Sequence, residues 1–170
     1  VQYFLKQSHG TWHLAKELGY SDETISELRR DRNQLYSRLL ETEIEIIDGA
    51  ESVLNKLYGK IKMGIVTSSR KDHFEIIHKQ TGFLKYFDFV ITGEDVKNTK
   101  PDPEPYLKAL HIAGMKKDDC IVVEDSERGL NAALQAGLRC YIIPTHLTLD
   151  SDFTGAEKVL NNIKEILSLI

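Results

Sequence analysis

The chain has 170 residues, 41% of them hydrophobic, and a formal net charge of −4. That length buries one good core with room for a smaller attached unit. Lys and Arg are interspersed with Asp and Glu, so there is no clustered basic face of the kind that binds nucleic acid. No apolar run is long enough to cross a bilayer. Val1-Gln2-Tyr3-Phe4 lacks the basic start and apolar stretch of a secretory signal.

In chain order, residues 1 to about 46 are polar, rich in Glu and Arg, and contain no strand-like run. A short helix is expected around Ser8 to Leu18, ended by Gly19. Ser21 reads as the N-cap of a second helix, with Asp22 and Glu23 at its positive end. Ile25, Leu28, Leu35 and Leu39 recur along it at helical spacing. From Ile46 the pattern alternates. Helices are expected over Ala50 to Tyr58, Asp72 to Gln80, Pro103 to Ala113, Ser126 to Ala136 and Ala156 to Leu169. Strands are expected over Lys62 to Thr67, Phe89 to Thr92, Cys120 to Glu124 and Arg139 to Ile143. Continuous apolar runs such as Ile121-Val122-Val123 suit a sheet covered on both faces. The alternation predicts an α/β, Rossmann-like, doubly wound parallel sheet. Asp48-Gly49 marks the joint between a helical unit, 1–46, and the sheet unit, 47–170. Cys120 and Cys140 fall in strand-like runs and read as free buried thiols of a reducing compartment, so a cytoplasmic protein is expected.

In such sheets ligands bind beyond the carboxyl ends of the strands. The first strand ends in Thr67-Ser68-Ser69-Arg70, whose hydroxyls and N–H groups precede a helix and suit an anion. The simpler reading is that a serine caps the next helix. Lys100, before Pro101, stands at a helix entrance where its charge can meet a phosphate; most single lysines are solvated. Glu124 and Asp125 end an apolar strand. Adjacent carboxylates there repel and resist desolvation, a cost that Mg²⁺ removes by binding one or two carboxylates together with substrate oxygens. Against that, Asp125 or Ser126 can serve as an N-cap while Glu124 reaches solvent. Together, a hydroxyl pair, a lysine and two carboxylates on one sheet edge make a phosphate-plus-Mg²⁺ site.

Ile65-Val66-Thr67-Ser68-Ser69, Lys100-Pro101-Asp102-Pro103-Glu104-Pro105-Tyr106 and Val123-Glu124-Asp125-Ser126-Glu127-Arg128-Gly129 resemble three of the four motifs of haloacid-dehalogenase-like phosphatases. The second and third look most like the β-phosphoglucomutase and sugar-phosphate phosphatase branch. The resemblance implies a small helical cap at residues 1–46. It implies that Thr67 and Ser68 bind the phosphoryl group and that Lys100 neutralises charge beside it. It also implies that Asp125 and Glu124 hold Mg²⁺, and that an aspartyl-phosphate forms as intermediate.

The family's first motif, an apolar strand ending in Asp-x-Asp, has no counterpart here. Asp22, Asp31 and Asp48 follow no apolar strand, and Asp118-Asp119 precedes one. That strand lies in the family between those ending in Thr67 and Asp125, so the sheet is expected to lack its centre and an upstream segment to be absent from this sequence. The reading is phosphoryl transfer on a small phosphorylated substrate, possibly a sugar phosphate, to water or to a sugar hydroxyl. A relative that only binds phosphate and Mg²⁺ is the alternative. Dehalogenase chemistry is disfavoured, since it leaves Glu124-Asp125 unexplained. His9, Trp12, His13, Arg29, Arg30 and Arg32 are candidates to contact substrate from the cap, although a surface charge or packed ring explains each of them. The oligomeric state stays open.

Overall fold

The computed structural model describes residues 12–170. Helix α1, Trp12–Glu17, is short, and the part of the expected helix at residues 8–11 lies outside the described residues, as does His9. Helix α2, Asp22–Thr42, starts as its cap predicts: the Ser21 hydroxyl accepts the Thr24 N–H at 3.1 Å. Its apolar stripe is only partly used. Ile25 is buried, while Leu28, Leu35 and Leu39 are exposed. Tyr36 of α2 meets the His73 ring edge-on, with centroids 4.9 Å apart, so α2 lies against the helix that carries His73.

Residues 43–47 are irregular and lead to Gly49, whose φ of 81° suits a residue without Cβ. The sheet unit then runs α3 (Ala50–Leu57), β1 (Gly64–Val66), α4 (Lys71–Thr81), β2 (Phe89–Ile91), α5 (Glu104–Ala113), β3 (Ile121–Glu124), α6 (Glu127–Gln135), β4 (Arg139–Ile142) and β5 (Lys158–Val159). Pro103 precedes α5 and Gly114, at φ 65°, ends it. Every strand pair is parallel. The core sits between α5, α6 and the sheet, where Leu130, Ala132, Ala133, Cys140 and Ile142 are at most 1% exposed. No described helix is long and apolar enough to cross a membrane.

The strands form two half-sheets, β1–β2 and β3–β4–β5. Among the described residues no strand joins β1 to β3. Between them lies a cavity of about 830 Å³, lined by Val66, Phe89, Tyr106, Val122, Val123 and Ile166 among others. Val123 is 42% exposed in what should be a covered strand. A parallel strand edge has unpaired N–H and C=O groups, each costing about 1–3 kcal/mol when buried without a partner.

One expected element is different. Residues 156–169 form no α-helix but the short strand β5 and a 3₁₀ segment, Ile163–Ser168. Glu157 N–H donates to Cys140 O at 2.8 Å and Leu160 N–H to Ile142 O at 2.7 Å, which draws this stretch onto the sheet. Asn161-Asn162 then interrupts any helix. The Asn162 side chain accepts the Lys164 N–H at 3.0 Å, a local bond that competes with helical pairing. Val159, Leu160, Ile163 and Ile166 fit helical spacing, yet Leu160 is 2% exposed because it reaches the core from an edge strand.

Candidate active site

The site groups follow the carboxyl ends of β1 and β3 and stand in the loop after β2. Thr67 follows β1, and its N–H donates to Ile91 O at 2.9 Å, extending the β1–β2 pairing by one residue. Its hydroxyl accepts the Ser69 N–H at 3.1 Å, folding the 67–69 loop back on itself. Ser68 is exposed. Neither serine caps the next helix, because the residue in that position is Arg70 and it makes no side-chain cap bond. Arg70 pairs instead with Asp72 at 2.9 Å, and this bond holds the Asp72 carboxyl at about 2.

Lys100 is the centre of the arrangement. Its side chain is 9% exposed and that of Glu124 is 8% exposed. The ammonium donates to Val66 O at 2.8 Å and to Glu124 Oε1. It also sits 4.8 Å from the centroid of the Tyr106 ring. The ends of β1 and β3 therefore meet at one ammonium, and Lys100 spans the gap between them. The Tyr106 hydroxyl donates to the same Glu124 oxygen. Burial, with the Glu124 charge adding to it, pushes the Tyr106 pKa far above its usual value, so it stays a donor.

The other Glu124 oxygen accepts the Asp125 N–H at 3.3 Å and faces the Ser126 hydroxyl at 3.4 Å. Ser126 Oγ also accepts the Gly129 N–H at 3.2 Å, capping α6. Gly129 has no Cβ where one would overlap the Glu124 carboxylate. Asp125 is exposed at the mouth of the site, and its pKa is raised by the surrounding protein and by the Glu124 charge. Among the described residues no group of three or more His, Cys, Asp or Glu comes together around a metal position. Both Glu124 oxygens are already engaged, by Lys100 and Tyr106 on one and by the Asp125 N–H and the Ser126 hydroxyl on the other, so Asp125 is the more accessible carboxylate at this rim.

Thr67, Lys100, Glu124 and Asp125 thus lie at one rim, with Ser68 beside them. Trp12, Arg29 and Arg32 gather with one another, the guanidiniums 5.3 and 5.7 Å from the indole. Arg30 pairs with Asp31 at 3.8 Å, and His13 is half-buried with Nδ1 unpartnered. None of these five is among the partners of the Lys100–Glu124 pair. Tyr106 and Gly129 have roles that motif reading missed, although both stand inside the quoted segments. Asp150-Ser151-Asp152 has Asp-x-Asp spacing but lies in turns after β4, not at a strand end, where Asp152 N–H donates to Glu127 at 3.3 Å.

The family model for haloacid dehalogenase-like hydrolases matches residues 7–143. The chain belongs to that family. It is 32% identical over 158 residues to the validoxylamine A 7′-phosphate phosphatase of Streptomyces hygroscopicus subsp. limoneus, covering 91% of this chain and 71% of the relative. It is 31% identical over 150 residues to the phosphorylated carbohydrates phosphatase of Thermotoga maritima, covering 82% and 68%. Among solved structures, CbbY from Rhodobacter sphaeroides in complex with phosphate superposes with a TM-score of 0.77 at 26% identity, over 97% of this chain and 72% of that one. The family's α/β fold is the one described above, and the first two of these relatives are phosphatases by name.

Proposed function

We propose that this chain supplies most of an Mg²⁺-dependent site for phosphoryl transfer from a small phosphate monoester, a sugar phosphate by analogy with its relatives. The observation that carries the reading is the Lys100 ammonium, held between Val66 O and Glu124 at the rim where Thr67 and Asp125 also stand. Thr67 Oγ and the Ser68 N–H bind the phosphoryl oxygens. Lys100 neutralises the negative charge where nucleophile and phosphate approach. Asp125, with Glu124, holds Mg²⁺, which when bound supplies charge stabilisation at the transferring group. The attacking carboxylate belongs to an apolar Asp-x-Asp strand seated in the gap between β1 and β3, its carboxyl end at this same rim. Helices α1 and α2 act as a cap that limits water and selects substrate, docked through Tyr36–His73 and through Gln80 Nε2, which donates to Leu40 O at 2.8 Å. The two free thiols suit a cytoplasmic setting.

The test is a sugar-phosphate screen of the chain carrying an Asp-x-Asp strand ahead of residue 1, with Mg²⁺ or with EDTA. Phosphate release, or transfer to a second sugar hydroxyl, is expected with Mg²⁺ and is abolished by EDTA. If Mg²⁺ and phosphate bind but nothing turns over with that strand in place, the chain is a binding module and the enzyme reading is wrong.

A further inference from the structure

Lys100 is fixed at its ammonium end by groups on three elements, and its backbone is fixed by a fourth. Helix α6 carries Arg128 and Gln135, seven residues and about two turns apart, so both stand on one edge. Arg128 Nη2 donates to the Lys100 carbonyl, and Gln135 Nε2 donates to the Pro101 carbonyl at 2.9 Å. Leu130 and Ala133 lock the far side of α6 into the core and Ala132 buries beside Arg128, at 1%, 0% and 0% exposure, so this edge cannot roll away. The same helix abuts the Glu124 carboxylate at Gly129. From α5, the Glu104 carboxylate accepts the N–H groups of Lys97 and Asn98 at 2.8 and 2.9 Å. The loop that carries Lys100 has no regular structure of its own, and it is held at two points by two helices.

A lysine stem has four rotatable carbons and loses much freedom when its head is fixed. Anchoring the backbone at the root of the stem reduces the set of positions the head can reach. We propose that Arg128 and Gln135 are positioning residues for Lys100: by gripping two successive carbonyls from one helix edge, they aim its ammonium across the gap at Val66 O and Glu124. The consequence for turnover rests on the phosphoryl-transfer reading; the consequence for Lys100 itself does not.

The test uses the intact protein and brief acetic anhydride labelling, with each lysine quantified by mass spectrometry and exposed Lys97 as the internal reference. In Arg128→Ala/Gln135→Ala, labelling of Lys100 relative to Lys97 is expected to rise about tenfold, as loss of two modest hydrogen bonds implies. Arg128→Lys, which keeps a donor, restores most of the protection. Gln135→Ala alone, at an exposed position, gives a smaller rise and covers the case in which the double variant does not fold. With an active enzyme, kcat falls while KM changes less than about threefold. Unchanged Lys100 labelling overturns the proposal, and so does an equal rise at every lysine, which marks general loosening. If the protein carrying the Asp-x-Asp strand transfers no phosphoryl group, the functional reading fails and the labelling alone decides this one.

Discussion

Lys100→Ala lowers the stability of the fold by about 3–5 kcal/mol and abolishes phosphoryl transfer. The stability loss follows from what is left behind. Glu124, with its side chain 8% exposed, loses its counter-charge and keeps only the Tyr106 hydroxyl and weaker bonds from its own loop. Val66 O loses its donor in the same step. A surface pair of the same length would contribute under about 1 kcal/mol, so the size of the loss reports the burial of this pair. For a chain of this size the melting temperature falls by about 6–20 °C. Lys100→Met/Glu124→Leu removes both charges and costs less stability than the single change, while activity stays lost. Thermal unfolding followed by circular dichroism, beside a phosphate-release assay, checks both. A melting temperature within about 2 °C of the parent for Lys100→Ala would mean that Glu124 is not buried against it.

Gly129→Ala has the next largest effect, and its sign separates two physical causes. Gly129 lies in the first turn of α6, where alanine normally stabilises a helix by roughly 0.5–1 kcal/mol. Here the added methyl overlaps the Glu124 carboxylate. A free glutamate would swing aside, but this one is held by Lys100 and Tyr106. Either the carboxylate leaves its partners or α6 shifts, and overpacking of this kind costs about 1–3 kcal/mol. The expected result is therefore a net loss of stability, measured by urea unfolding, with turnover reduced about a hundredfold because Glu124 is displaced from the rim. A more stable and fully active Gly129→Ala protein would show the helix term alone at work.

The parallel strands and their intervening helices were legible because each element carries its own period and its own punctuation. Ser21, Pro103 and Gly114 mark ends that the structure keeps. The rim was legible because ligand groups follow strands in chain order, and Lys100 and Glu124 do meet. Partners that depend on tertiary packing were not. Nothing in the order of residues says that Tyr106 places its hydroxyl and its ring on the two halves of one ion pair. Nor does it say that Arg128 and Gln135 reach the Lys100–Pro101 loop. Residues 156–169 misled for a related reason: their apolar spacing fits a helix, and only pairing with β4 shows that Leu160 enters the core from a strand. The expectation of an absent central strand came from the motif order; among the described residues β1–β2 and β3–β4–β5 form separate half-sheets.

The central claim is that three strand ends share one place for a divalent cation and a phosphoryl group. Crystals grown with Mn²⁺ and inorganic phosphate, with data collected at the manganese absorption edge, test it most directly. The account predicts an anomalous peak beside the Asp125 carboxylate, and phosphate density between it, the Thr67 hydroxyl and the Lys100 ammonium. Manganese and phosphate found elsewhere, with this rim holding only water, would contradict it.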